Sequence, residues 1–337
     1  MRPAWLFFAI FFLTAFFLSA AEPIKDGFYD EHDEKGRLVR TAEYKLGQLN
    51  GHFRTFYPDG RINGTGTYLN GQLHDLAMSF WPDGTMKLKS FYQNGKLHGT
   101  STLYYKNGKV QAEIEYIKGV QDGVSKEYDE FGHPTWQRHF VDGKEQGTSK
   151  EFYSDSGAVH FEYGYESGYQ TGFIREYHTN GQIKGVYQAL GGIREGDAKE
   201  FYPAGQLSRQ GRFKNGQWDG LVTNYYPSGK ILSRVNYKDG RKNDAHWQQF
   251  YENGKLMSQV KILDDKKEGI AREYHANGKL QSEGRFRDGK RQGIFKNYDE
   301  NGRLVGENEY KNDIIRYHRE YNGKGRLISE QIYYSPS

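Results

Sequence analysis

At 337 residues the chain has the length of two ordinary domains, yet its hydrophobic fraction is only 36% while Tyr (27), Phe (21) and Gly (42) abound. This composition excludes a large aliphatic core and suits short strands joined by tight turns. The net charge of +4 is spread along the chain and Cys is absent. That excludes disulfides, thiolate metal sites and the concentrated basic stripe of a nucleic-acid binder, so no nucleic-acid partner is expected.

Residues 1–21 stand apart. Arg2 is followed by a near-continuous apolar run from Leu6 to Leu18 and by the small residues Ser19-Ala20-Ala21 before Glu22-Pro23. This is the layout of a secretory signal peptide, with cleavage expected after Ala21. The expected destination is the periplasm, the cell surface or the medium. No second apolar stretch follows, so the mature chain is not expected to span a membrane.

Residues 22–337 form a repeat array. One set of glycines recurs at Gly36, Gly60, Gly84, Gly108, Gly132 and Gly157, and continues to Gly325 at intervals of 23 to 25 residues. A second set interleaves at Gly47, Gly71, Gly95 and Gly119, with Asp265 and Asp313 replacing it twice. A fixed period of this kind means one supersecondary unit copied many times. In the unit Gly99–Gly123, Thr100–Tyr105 is one strand-length run and Val110–Ile117 the next, with turns at Asn107-Gly108 and Lys118-Gly119. Connections this short hold no crossover helix, so neighbouring strands are antiparallel. The expected fold is all-β, an elongated antiparallel meander of about twelve 24-residue β-hairpin repeats, mostly a single-layer twisted sheet. With strands about 4.8 Å apart, two dozen of them would extend roughly 115 Å.

Turn chemistry sets the register. Pro58-Asp59-Gly60 puts proline where φ must be near −65°, which predicts a type I turn closed by a left-handed glycine and a bulge. Phe56 then lies opposite Ile62. Counting from each turn glycine, aromatics recur at −4 (Phe56, Phe80, Tyr104), aliphatics at +2 (Leu38, Ile62, Met86) and aromatics at +8 (Tyr44, Tyr68, Tyr92). Strand alternation predicts that +2 and +8 share one face, and that a column at −3 faces the other.

The units Tyr104-Tyr105-Lys106-Asn107-Gly108-Lys109, Tyr225-Tyr226-Pro227-Ser228-Gly229-Lys230 and Asp288-Gly289-Lys290-Arg291-Gln292-Gly293 resemble the bacterial variant of the MORN repeat over about residues 27–334. The resemblance implies elongated antiparallel sheets used for protein–protein contact, dimerisation and, in some cases, lipid association. It further implies the label of a toxin–antitoxin system YwqK-type antitoxin, and it carries no catalytic residues. The segment Tyr298-Asp299-Glu300-Asn301-Gly302-Arg303-Leu304 also resembles the Tyr-Asp repeats that enclose a toxin domain.

No enzyme is expected. The histidines are scattered among repeats, His178 and His275 occupy a column where other units carry Tyr or Trp, and Asp264-Asp265 falls in a turn. No P-loop, dinucleotide fingerprint or nucleophile elbow occurs, so no catalytic, metal or cofactor site is expected. The candidate interaction surface is the −3 column, Tyr57, Trp81, Tyr105, Tyr202, Tyr226 and Tyr251, several of them opposite a basic residue (Arg61, Lys109, Lys230). The bland alternative is that these rings serve cross-strand packing. The expected partner is a protein. The alternative partner is a cell-wall polymer or other glycan, although the Trp residues beyond position 21 (Trp81, Trp136, Trp218, Trp247) occupy non-equivalent positions.

Overall fold

The computed structural model describes residues 24–333, and the expected signal peptide at residues 1–21 lies outside the described residues. The chain divides into two compact units, Met1–Ser101 and Thr102–Ser337, each taken on its own below. The described residues form strands and turns, with no helix among them.

The first unit begins with β1 (Gly27–His32), β2 (Leu38–Lys45), β3 (Gln48–Phe56), β4 (Ile62–Leu69), β5 (Gln72–Phe80), β6 (Met86–Gln93) and β7 (Lys96–Leu97). Each strand pairs antiparallel with the next. β8 (Gly99–Tyr104) runs across the division. The second unit continues with β9 (Val110–Ile117), β10 (Val120–Tyr128), β11 (Pro134–Val141), β12 (Lys144–Glu145), β13 (Gly147–Phe152), β14 (Val159–Glu166), β15 (Tyr169–Tyr177), β16 (Ile183–Leu190), β17 (Ile193–Phe201) and β18 (Leu207–Lys214). The same antiparallel order runs on to Leu327–Ile332. This is the hairpin meander that the repeat predicts.

Two kinds of hairpin alternate. At the first, the Tyr57 amide donates to the Arg61 carbonyl and the Gly60 amide to the Tyr57 carbonyl, at 2.7 and 2.9 Å, with Gly60 at φ 84°. Phe56 pairs with Ile62, as the turn chemistry requires. The second is a two-residue turn with both residues left-handed, as at Lys118 (φ 51°) and Gly119 (φ 86°). That is the mirror-image turn whose twist matches the strands it joins.

The assignment of faces needs correction. Phe56 pairs with Ile62 but Thr55 pairs with Gly64, so each first hairpin holds a second bulge at position +3. The extra residue breaks strand alternation between +2 and +4, and uncouples +2 from +8. The aliphatic Ile62 is accordingly 39% exposed while Tyr68 is 7%. The deepest side chains lie at −7, +6 and +8: Phe53, Ala42 and Tyr68 in the first unit, and Ile174, Tyr187, Ala189, Ala198 and Phe213 in the second. Burial of Phe53 contributes about 1.5–3 kcal/mol. By alternation from −7 through −5, the −3 column takes the parity of this core, not of the opposite face.

Large rings in this thin core lie over strand glycines. A Cβ on Gly66 would sit 2.7 Å from Cε1 of Phe53, and one on Gly284 2.2 Å from Cδ1 of Phe295. These glycines have ordinary extended backbone, so they are there for space.

Candidate interaction surface

The −3 column is half-buried, and its hydroxyls are engaged within the protein. Each donates to the backbone carbonyl of the −4 residue one repeat further on: Tyr57 to Phe80 (2.7 Å), Tyr105 to Tyr128 (2.8 Å), Tyr202 to Tyr225 (2.7 Å), Tyr226 to Phe250 (2.9 Å) and Tyr251 to Tyr274 (2.7 Å). Tyr153 does the same to Tyr177. His178 and His275 place Nε2 at 2.9 and 2.8 Å from the equivalent carbonyls, so that nitrogen carries the proton and the imidazole substitutes for a phenol. This accounts for histidine in a tyrosine column. Trp81, the sixth candidate, carries the Lys87 ammonium 4.7 Å from its ring centroid.

Two further contacts reinforce some of the junctions. Asparagine at −1 donates to the next turn, as in Asn107 to the Glu130 carbonyl and Asn253 to the Ala276 carbonyl, at 2.8 and 2.9 Å. The basic residue at +1 does likewise: Arg61 to the Pro82 carbonyl and Lys109 to the Phe131 carbonyl, both at 2.6 Å. Arg61 and Lys109, expected to face the tyrosines across the turn, thus reach forward to the following repeat.

The opposite face carries its own ladder. The −4 tyrosines meet the +5 residue of the preceding repeat: Tyr128 donates to Glu113 (3.1 Å) and Tyr177 to Glu162 (2.7 Å), while Gln210 donates to the Tyr225 hydroxyl (2.6 Å). Burial, then the hydrogen bond to Glu162, pushes the Tyr177 phenol up to about 12. Burial works to raise the Glu162 carboxyl, but Tyr177, Arg175 and Lys150 outweigh it and hold the group below its usual range.

A feature absent from the sequence-based candidates lies at −5 on the core face of the second unit. Glu127, Glu176 and Glu200 at −5, with Glu151 at −6 before a turn one residue longer, form a row on successive hairpins. Arg138 meets Glu127 at 2.5 Å, Tyr163 donates to Glu151 at 3.0 Å, and Lys184 meets Glu176 at 2.6 Å. The Tyr187 hydroxyl lies 3.3 Å from both Glu176 and Glu200. Burial first, and these carboxylates second, keep the Tyr163 and Tyr187 phenols well above the ordinary phenol range. The periodic Glu at 127, 151, 176 and 200 is a signal in the sequence that could have marked this row.

Beside the row lie two shallow, open grooves of about 430 and 400 Å³, sharing Glu200, Tyr202 and Ser208. Tyr202 is the one residue of the predicted column that lines both. Among the described residues no three His, Asp or Glu side chains gather to hold a metal ion, and no helix is long and apolar enough to cross a membrane.

Among known proteins, the family model described as the MORN repeat variant matches residues 49–70, 97–118, 194–215, 218–239, 243–262, 267–288 and 291–312. No curated protein matches the chain. A crystal structure of TcdB2-TccC3 without its hypervariable C-terminal region is similar at 11% identity, covering 89% of this chain and 18% of that one, with a TM-score of 0.17. The Photorhabdus luminescens Tc holotoxin pore is similar at 12% identity over 93% of this chain and 23% of that one, with a TM-score of 0.14. An alternansucrase in complex with isomaltononaose shows 16% identity over 72% and 16%, with a TM-score of 0.19. This chain therefore spans a quarter or less of the structures it resembles, and at these TM-scores the likeness carries no argument. Seven units of this regular hairpin meander thus match the MORN repeat variant.

Proposed function

We propose that the chain is a non-enzymatic interaction scaffold whose partner is a protein met outside the cytoplasm. The observation that supports this reading is the recurrence, through the second unit, of guanidinium groups laid over aromatic rings. Arg138 lies 4.6 Å from the Trp136 centroid, Arg175 4.0 Å from Phe173, Arg194 3.8 Å from Tyr187, Arg291 4.0 Å from Tyr310 and Arg319 4.4 Å from Tyr317. Arginine and large aromatics are the residues that concentrate binding energy at protein interfaces. The N-terminal signal supports export to the periplasm, the cell surface or the medium. A YwqK-type antitoxin role is the same activity with a toxin as the partner.

Affinity capture from an envelope extract, with the intact protein beside a variant carrying Arg138→Ala, Arg175→Ala, Arg194→Ala and Arg319→Ala, tests this reading. A partner held by the first and lost by the second supports it. Recovery of the same proteins by both, or of none by either, refutes it.

A further inference from the structure

We infer that the larger groove of the second unit is a binding site for a neutral oligosaccharide. Its floor is an ordered set of planar polar groups. The Arg209 Nε donates to Asn224 Oδ1 at 2.8 Å, Asn224 Nδ2 donates to Ser233 Oγ at 2.8 Å, and Arg209 Nη1 lies 3.3 Å from Glu200 Oε2. Around them stand the rings of Tyr202, Tyr237 and Trp247. Three further polar groups line the same groove without a hydrogen bond among the described residues: the Ser208 hydroxyl, the Tyr237 hydroxyl and the amide nitrogen of Gln249, whose Oε1 accepts from Ser258 at 3.0 Å.

The chemistry selects among ligands. A pyranose presents apolar C–H faces to a ring and vicinal hydroxyls to planar side chains, and the groove offers both kinds of partner at once. The fixed network means little ordering is lost when a ligand arrives. An extended peptide finds less here, because adding a strand requires the free backbone of a sheet edge and the groove lies on the face of paired strands. An anion finds only the Lys242 ammonium, 5.8 Å from the Trp247 centroid, since the Arg209 guanidinium is already matched by Glu200 and Asn224. The volume of about 430 Å³ lies within the range of small-ligand sites, and the groove is open to solvent.

Calorimetric titration of the purified protein with cellohexaose, chitohexaose and maltohexaose, and with a polyglutamate peptide, tests the inference. Saturable binding of at least one sugar is expected. Trp247→Ala should weaken it at least tenfold and Gln249→Ala at least threefold, while Tyr169→Ala, at an exposed ring outside the groove, should leave it within twofold. Gln249→Ala serves as the second variant, since only the hydrogen bond from Ser258 is lost with it. Three results overturn the inference: no binding by any of the sugars, sugar binding that neither groove variant weakens, or binding of the polyglutamate peptide with none of the sugars.

Discussion

The hydroxyl ladder at −3 can be removed without touching the rings that carry it. Tyr105, Tyr153, Tyr202, Tyr226 and Tyr251 each donate to a carbonyl of the following repeat at 2.7 to 2.9 Å. Replacing all five by Phe keeps the apolar area and deletes five hydrogen bonds. Each such bond contributes about 1 kcal/mol net, because the unfolded chain recovers its partners in water. Consecutive donors lie two strands, about 9.6 Å, apart, far enough for the losses to add. The five together should cost about 5 kcal/mol, against a typical total stability of about 5–15 kcal/mol. Urea unfolding followed by far-ultraviolet circular dichroism measures this as a fall in the midpoint. Hydrogen exchange should also quicken at the turn amides, Tyr202 and Tyr226 among them. Tyr169→Phe is the control: that ring is 74% exposed, its hydroxyl has no partner among the described residues, and the change should stay within about 0.5 kcal/mol. A five-fold variant that unfolds within 1 kcal/mol of the parent would refute the stitch as a source of stability.

Other outcomes follow from single sites. Gly284→Ala should cost about 1–3 kcal/mol by driving the Phe295 ring from its place, and Phe295→Ala in the same chain should recover part of that loss; strictly additive costs in a double-mutant cycle would reject the overlap. Glu162→Gln should destabilise at neutral pH. Its folded carboxyl is held below the ordinary value of 4.5, so its contribution is present above that value and disappears as the pH falls through the folded one; a gap between variant and parent that persists at pH 2 would contradict this. For Tyr177, with a folded pKa of about 12 against 10.0, stability should be lost as the pH rises from 10 to 12, and Tyr177→Phe should flatten that decline. Asp313→Ala should cost at least about 1 kcal/mol in a thermal melt, since Asp313 holds φ 68° and accepts from both the amide and the Nε of Arg291; an unchanged melt would count against the role.

Turns were the legible part of this protein because their chemistry is local. Pro58-Asp59-Gly60 specifies a backbone conformation, and the pairing of Phe56 with Ile62 follows from it. The faces were not legible for a reason just as local: one extra residue, Asn63, between Ile62 and Gly64 reverses the alternation, and nothing in its side chain announces a bulge. The role of Tyr105 was hidden in another way. Its partner is the main-chain carbonyl of Tyr128, a group that every residue possesses, so no pattern of residue types points to it. The groove around Asn224 adds Trp247 and Gln249, which do not recur at their positions in other repeats, to the repeated Glu200, Tyr202 and Tyr237, and a reading built on periodicity passes over what does not recur.

The junctions between repeats also have a direction. The side-chain donors of the first kind of hairpin reach toward the C-terminal neighbour's carbonyls, most often from the −3 position, whereas the amides of the second kind donate the other way, as Gly71 does to the Leu49 carbonyl. A whole unit of 24 residues could therefore be gained or lost by unequal recombination with every remaining junction intact. One extra residue is absorbed where a turn takes it up, since Tyr226 still reaches the Phe250 carbonyl although Gly229 and Gly254 lie 25 residues apart. Such an architecture permits change in reach by whole steps.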